Sequence, residues 1–372
     1  MAIAFSGCGS GLMLPVALDA MGGDRAPGEI VAGALQASQE GLPVLLVGRP
    51  EEVGDIGGLD LYPASEVIEM GEDPASAVRR KKDSSLVRAA ELVRDGKALA
   101  MVSAGNTGAT MASALLRMGR IPGVHRPAIA TPVPGAGDNP LVLLDAGANA
   151  ECTPQMLLQF AQMGAVFAAE RYGLTRPRVG LLSIGEEASK GNSLVKEAHA
   201  LLAAGDGGAE VDFVGNVEGR DLMTGTVDVV VTDGFTGNVA LKTLEGALKY
   251  FMSTLLGILD STDAAREAAA TLLPLLAPAA ERLDPDSTGG AMLLGVNGVC
   301  IISHGSSSAR AIHSALSVAN DLGSHGLLDH LARAVGSSGS GLGTDGSASA
   351  GGAGLGVPSQ AAGTPLRPVS SS

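Results

Sequence analysis

The chain has 372 residues, 45% of them hydrophobic, and a formal net charge of −14, which allows one large or two ordinary domains with a substantial core. That acidity argues against a nucleic-acid binder, which needs a basic face for phosphate backbones. Cys8, Cys152 and Cys300 lie far apart with no CxxC pair, so neither a disulfide framework nor a zinc site is suggested, and a reducing cytoplasm fits best. Aromatics are 2% and Trp is absent, so Ala, Val, Leu and Met must build the core.

Residues 1–12 read as a loose extension; Phe5-Ser6-Gly7-Cys8 resembles a lipobox but lacks a basic leader. Leu14 to Leu18 is an apolar strand that runs into a loop with two adjacent glycines, Gly22 and Gly23, and Pro27 then opens a helix. A second strand, Pro43 to Val47, precedes a polar, glycine-broken segment reaching Met70. Val78 to Asp95 reads as one helix entered through Arg79, Arg80, Lys81 and Lys82. That run is either a solvated basic cluster with local ion pairs or an anion site, and the mutual repulsion of four unneutralised cations favours the anion site.

Ala98 to Ser103 is a buried strand entering Gly105-Asn106-Thr107-Gly108 and a helix through Met118. Residues 126–134 are extended, and their prolines suit an edge strand. Leu141 to Leu144 leads into Asp145-Ala146-Gly147-Ala148-Asn149 and, through Thr153-Pro154, a helix to Tyr172; Asp145 serves either that helix's N-terminal charge or a site. Val179 to Ile184 precedes a loop holding Lys190, a surface lysine or a placed phosphate ligand among Ser189, Gly191 and Asn192, and then the helix Ser193 to Ala204.

Val227 to Val231 is a strand buried on both faces, followed by a break at Asp233-Gly234 and Gly237-Asn238. From Val239 the spacing is helical, with Leu241, Leu244 and Leu248 on one face and Lys242 and Lys249 elsewhere. Such a turn aims backbone NH groups and a helix dipole at one point, which suits a phosphate or an oxyanion, unless Asn238 merely caps the helix. Residues 248–285 form an interrupted apolar helical block with Pro274 and Pro278, read as a dimer interface, a buried hairpin or a tip at a membrane surface. Gly289 to Gly298 leads to the strand Val299 to Ile302, and a loop with His304 and Ser306 enters the last helix; His304 is either structural or a general acid or base. Gly and Ser dominate 336–372, read as a disordered tail, and no run approaches the ~20 apolar residues of a membrane span.

Repeated strand, small-residue loop and helix units predict a doubly wound, mostly parallel, three-layer Rossmann-like α/β fold in one domain, 13–335. Neither GxGxxG with a ribose carboxylate, GxxxxGK[ST] nor GxSxG is present, which weakens dehydrogenase, nucleotidase and hydrolase readings. The inventory favours an oxyanion-handling enzyme without metal, cofactor or covalent nucleophile.

ALDAMGGD at 17–24, VRRKKDSSL at 78–86, SAGNTGA at 103–109, LDAGAN at 144–149, IGEEASKGN at 184–192, FVGNVEGRDL at 213–222, VVVTDGFTGNVALKTLEG at 229–246 and GGAMLLGVNGVCIISHGSS at 289–307 resemble the phosphate acyltransferase family of bacterial lipid synthesis, PlsX. The resemblance runs in order across 13 to about 320. It implies a homodimeric cytoplasmic enzyme, peripheral to the inner face of the membrane, that moves a long acyl group from acyl carrier protein to inorganic phosphate. The acyl phosphate would pass to a glycerol-phosphate acyltransferase. By similarity Lys190 holds the phosphate and Asn238 binds the oxyanion. Asn106, Thr107, Gly108, Asn149, Gly237, His304 and Ser306 surround the phosphate or acyl-phosphate head, and Arg79 to Lys82 draw in the carrier or brace the site. Two rivals stand beside this reading: a phosphotransacetylase-like enzyme using coenzyme A thioesters, and a non-catalytic membrane scaffold that recruits lipid enzymes.

Overall fold

The structure, a computed structural model, describes residues 13–137, 139–208 and 211–336. The extension 1–12 and the tail from 337 lie outside the described residues, and Gly336 closes a helix. Eleven strands form one sheet. One half holds β1 (Val16–Asp19), β2 (Val44–Gly48), β3 (Asp60–Pro63), β4 (Ala100–Ser103) and β11 (Val299–Ile302). The other holds β6 (Leu141–Leu144), β7 (Arg178–Leu182), β8 (Asp212–Val217) and β9 (Val229–Val231). Between them lie β5 (Ala128–Val133) and β10 (Ala291–Leu294), in the order β3-β2-β1-β4-β11-β10-β5-β6-β9-β7-β8.

Alternation along the strands sends side chains to two faces. Val16, Leu18, Leu46 and Val102 join a core under α1 (Gly28–Gln39), α6 (Pro154–Tyr172), α7 (Ser193–Ala203), α10 (Ala309–Ser324) and α11 (Leu327–Gly336). Ala17, Val47 and Met101 join a second core under α3 (Pro74–Arg80), α4 (Ser85–Arg94) and α5 (Thr107–Arg117). The three-layer, mostly parallel α/β arrangement is as expected from the sequence.

Every pairing among the described strands is parallel except those made by β5 and β10. The halves therefore run in opposite directions. Register brings their carboxyl ends to one row: Ile302 of β11 faces Ala291, the next residue Met292 faces Ala130, and Ala130 faces Leu144 of β6. Loops after β4, β11, β6 and β9 thus converge although β4 and β9 are far from neighbours. The reversal at β5 and β10 brings them together.

Several local expectations are corrected. Residues 126–134 are not an edge strand: β5 lies between β10 and β6, and Pro132 is tolerated because pairing with β10 ends at Ala130, leaving Thr131–Val133 open on that side. The predicted helix from Val78 is two helices, broken at Lys81–Ser84 where the Ser84 hydroxyl caps α4 by accepting from Val87 N. The segment between β2 and Met70 contains α2 (Pro50–Val53) and the edge strand β3, whose exposed, short sequence carries little alternation. β8 and β10 are further strands, which the sequence pattern does not mark.

The helix after β9 begins five residues earlier than expected. α8 spans Gly234–Leu259, capped by Asp233, which accepts from Thr236 N at 2.9 Å. What reads as a glycine loop is the first helical turn, and neither Gly234 nor Gly237 has a positive φ. Their role is close approach: a Cβ on Gly237 would lie 2.0 Å from the Asp145 carbonyl oxygen, and one on Gly234 2.7 Å from that of Asn149. After Asp260, α9 (Asp263–Leu283) carries Pro274 and Pro278 without ending. Only Ala269 of α9 is buried, and Tyr250, Phe251, Ile258, Leu272 and Leu275 are exposed along this hairpin.

Gly237→Ala should destabilise the protein by about 3 kcal/mol or more, because backbone rather than a flexible side chain meets the added carbon. Gly246→Ala, in the same helix with nothing within 4 Å of its Cβ, should be neutral or stabilising by roughly 0.4–1 kcal/mol. Urea denaturation midpoints of the two variants check the pair.

Candidate active site

The meeting of the half-sheets leaves a cavity of about 840 Å³. Its polar lining comes from Gly105 and Thr107 after β4, Gly147 after β6, Asn238 of α8, and Ser303, His304 and Ser306 after β11. Apolar residues line it too: Pro132, Val133 and Pro134 of β5 and its extension, Leu241, Leu244, Leu248 and Met252 of α8, and Leu283 of α9, with Lys242, Glu245, Lys249, Asp284 and Asp286 beside them. A single helix supplies both, since 241, 244 and 248 form one stripe and 238, 242, 245 and 249 the stripe beside it.

Asp145 organises the floor. Fully buried, it accepts at Oδ1 from the NH groups of Ile129, Gly147 and Ala148, and at Oδ2 from Asn149 N and Nδ2, at 2.7–3.1 Å. It neither caps α6, which Thr153 does, nor lines the cavity. The loop it folds receives the first turn of α8. On the opposite wall, buried Asp19 accepts from Ser103 Oγ at 2.7 Å; burial pushes its carboxyl above the ordinary value of 3.8, against bonds from Ser85 and Ser103.

Asn238 does not cap its helix. Its side-chain atoms lie 3.6 Å from where a Gly147 Cβ would be, and no hydrogen bond to its carboxamide occurs among the described residues. The NH groups at the helix start are largely taken: Gly234 N donates to Asn149 O, Thr236 N to Asp233 Oδ1 and Gly237 N to Asp233 O. The carboxamide, rather than the helix terminus, is what α8 offers a ligand.

His304 is exposed, with Ser306 Oγ 3.2 Å from Nδ1 and Lys242 Nζ 3.4 Å from Nε2; Lys242 also donates to Glu245 at 2.7 Å. An ammonium only donates, so a hydrogen bond from Lys242 to Nε2 requires the ring tautomer that carries its proton on Nδ1, towards Ser306. Ser303 is buried against the cavity, and its hydroxyl has no hydrogen-bond partner among the described residues. The sequence marks the hydroxyls of this loop without singling out Ser303, and it sets Lys242 off the leucine face without a role; the four-residue step from Asn238 is the available signal.

Other expected site residues are placed elsewhere. The Asn106 carboxamide caps α5 through Ala109 N and donates to the carbonyls of Met70 and Glu72, so it braces the loop. Asn149 Nδ2 is held by Pro127 O and Asp145 Oδ2; Asn149 and Gly108 line a second cavity of about 240 Å³. Gly237 serves packing. Lys190 is exposed on the loop after β7, outside the residues lining the large cavity, although β7 adjoins β9. The basic run is not unneutralised, because Glu72 pairs with both Lys81 and Arg80 at 21% side-chain exposure, and the Lys81 contact holds its carboxyl below the usual range. Arg79 and Lys82 are exposed and make no ion pair among the described residues.

Thiols are poor nucleophile candidates: burial pushes Cys152 up to about 11 and Cys300 up to about 12.

Comparison with known proteins gives a consistent result. A family model described as a fatty acid synthesis protein matches residues 14–329. A phosphate acyltransferase from Heliobacterium modesticaldum is 51% identical over 314 residues, covering 82% of this chain and 92% of that protein. One from Anaeromyxobacter dehalogenans is 48% identical over 334 residues, covering 87% and 91%. Among solved structures, a phosphotransacetylase from Streptococcus pyogenes aligns with a TM-score of 0.55 at 18% identity, covering 87% of this chain and 94% of that one. A branched-chain phosphotransacylase from Enterococcus faecalis aligns at 0.53 and 17%, covering 83% and 99%. These structures share the fold. At about half identity over nearly their whole length with the sequence relatives, the chain belongs to the phosphate acyltransferase family and is an acyltransferase.

Proposed function

We propose that the enzyme transfers a long-chain fatty acyl group from acyl carrier protein to inorganic phosphate, without a covalent enzyme intermediate. The observation that carries this is one cavity lined both by the polar loops and by the Leu241–Leu244–Leu248–Met252 stripe. An acyl chain along the stripe leaves its carbonyl among the loops, where phosphate can be held for attack. A phosphate oxygen attacks the thioester carbon, the carbonyl oxygen gains charge, and the carbon–sulfur bond breaks to release a thiolate. The enzyme's task is to hold two anions and receive that charge, which is electrostatic rather than nucleophilic work.

In this reading the free Asn238 carboxamide donates to the tetrahedral oxygen. Thr107, Ser303, His304 and Ser306 surround the phosphate head, and Lys242 adds positive charge beside His304. Lys190 approaches from the loop next to that of β9 and neutralises the phosphate, while Asn106, Asn149 and Gly237 act by holding the loops. Arg79 and Lys82, the unpaired members of the basic run, attract the acidic carrier. The exposed apolar hairpin of α8 and α9 serves a second copy of the chain and the inner surface of the membrane. No described helix is long and apolar enough to cross a membrane. Arg266 is paired with Asp260 and Asp263, so membrane contact there is hydrophobic rather than ionic. The acyl phosphate would then be consumed by a glycerol-phosphate acyltransferase.

Phosphate-dependent thiol release from a long-chain acyl carrier protein tests the reaction, with coenzyme A thioesters as the competing donor. Asn238→Ala should lower kcat by roughly 10²–10³-fold, as loss of one oxyanion donor does, with an unchanged melting temperature. Lys190→Ala should mainly raise KM for phosphate; folded variants that retain wild-type kinetics would remove both residues from the site. For the hairpin, Leu275→Asp should reduce flotation with anionic vesicles while leaving thiol release in solution intact, and unchanged flotation would move the membrane contact elsewhere.

A further inference from the structure

We propose that the 240 Å³ cavity receives the pantetheine arm of the thioester donor, in line with the acyl chain and on the far side of the reacting carbonyl. This rests on the thioester-transfer reading above. The two cavities lie on one face of the sheet: Ile129 lines the large one and its cross-strand partner Leu293 the small one. They share a wall of two loops, because Thr107 faces the large cavity and Gly108 the small, and Gly147 and Ala148 divide in the same way. Those are the loops at which the carbonyl is placed.

A thioester has two arms leaving one centre in different directions. An acyl chain that fills the Leu241–Met252 stripe leaves the thiol arm to depart through another opening, and the small cavity begins where the polar loops end. Its lining suits the arm's chemistry of methylenes interrupted by amides and ending in a phosphate. Met111, Ala112, Leu115 and Pro127 provide apolar walls. Asn149 has its nitrogen tied to Pro127 O and Asp145 Oδ2, which turns its remaining oxygen into an acceptor for an amide NH. Arg126 is exposed at the same cavity and pairs with no carboxylate among the described residues, so it is available to the terminal phosphate. The arm occurs on carrier proteins and on coenzyme A alike, and the cavity recognises what they share.

The test compares three palmitoyl donors: the carrier-protein thioester, the coenzyme A thioester, and the S-ethyl thioester, which has the acyl chain and reacting centre but no arm. Ala112→Phe, which fills the cavity, should lower kcat/KM for the two armed donors by roughly tenfold or more, about 1.4 kcal/mol, and leave the S-ethyl donor within about twofold. Arg126→Ala, at an exposed position, should weaken only the armed donors and decides alone if Ala112→Phe does not fold. If the wild type turns over only one armed donor, loss with that donor identifies the arm's source and supports the cavity's role; loss with only one of two donors that are both turned over overturns it. Equal loss with all three donors, or no loss with either folded variant, overturns the proposal. A wild-type enzyme inactive with all three donors instead defeats the thioester-transfer reading on which it rests.

Discussion

Strand direction reverses across β5 and β10, and the site exists because of that reversal. In a sheet that is parallel throughout, loops at the carboxyl ends all point one way, and residues from distant strands remain a sheet's width apart. Here the halves point at each other, and the hydrogen-bonded row from Ile302 through Ala130 to Leu144 fixes how closely their ends approach. Two dense contacts hold the geometry. Asp145 ties its loop into a buried knot with five donated hydrogen bonds, and Gly234 and Gly237 let α8 descend onto it without a side chain between. Asp19 and Ser103 pin the other wall.

The chain's organisation was legible in its sequence wherever apolar runs ended at small-residue loops: most strands, the layers and the converging polar loops follow from that pattern. Exposed or edge elements were not, because β3 and β8 lack the apolar signal that burial writes into a strand. Pro132 suggested an edge for a related reason: the residue reports a missing partner on one side, and that gap is the cavity rather than the end of the sheet. Asn106, Asn149 and Gly237 were legible as important but not as supporting, since Asn and Gly at a helix entrance look the same whether they face a ligand or their own backbone. Lys242 required knowing where α8 begins; with the helix started at Gly234, it stands one turn beyond Asn238 and beside His304.

The proposed chemistry divides labour along one helix. Near its start α8 carries a carboxamide with no hydrogen-bond partner among the described residues, one turn later a cation, and then an apolar stripe proposed for the acyl chain. Such an arrangement positions and neutralises reactants in preference to attacking them. Ser306 Oγ lies within reach of the His304 imidazole. In the tautomer that accepts from Lys242, the Nδ1 proton faces the hydroxyl and the ring does not accept from it. In the proposed reaction that contact sets His304 to hold phosphate and not to activate Ser306.

Rapid quenching of the enzyme with a long-chain acyl carrier thioester in the absence of phosphate tests this directly. The account predicts no burst of thiol and no acyl-enzyme by mass spectrometry, with release beginning only when phosphate is added. A phosphate-independent burst stoichiometric with enzyme, lost in Ser306→Ala, would contradict it.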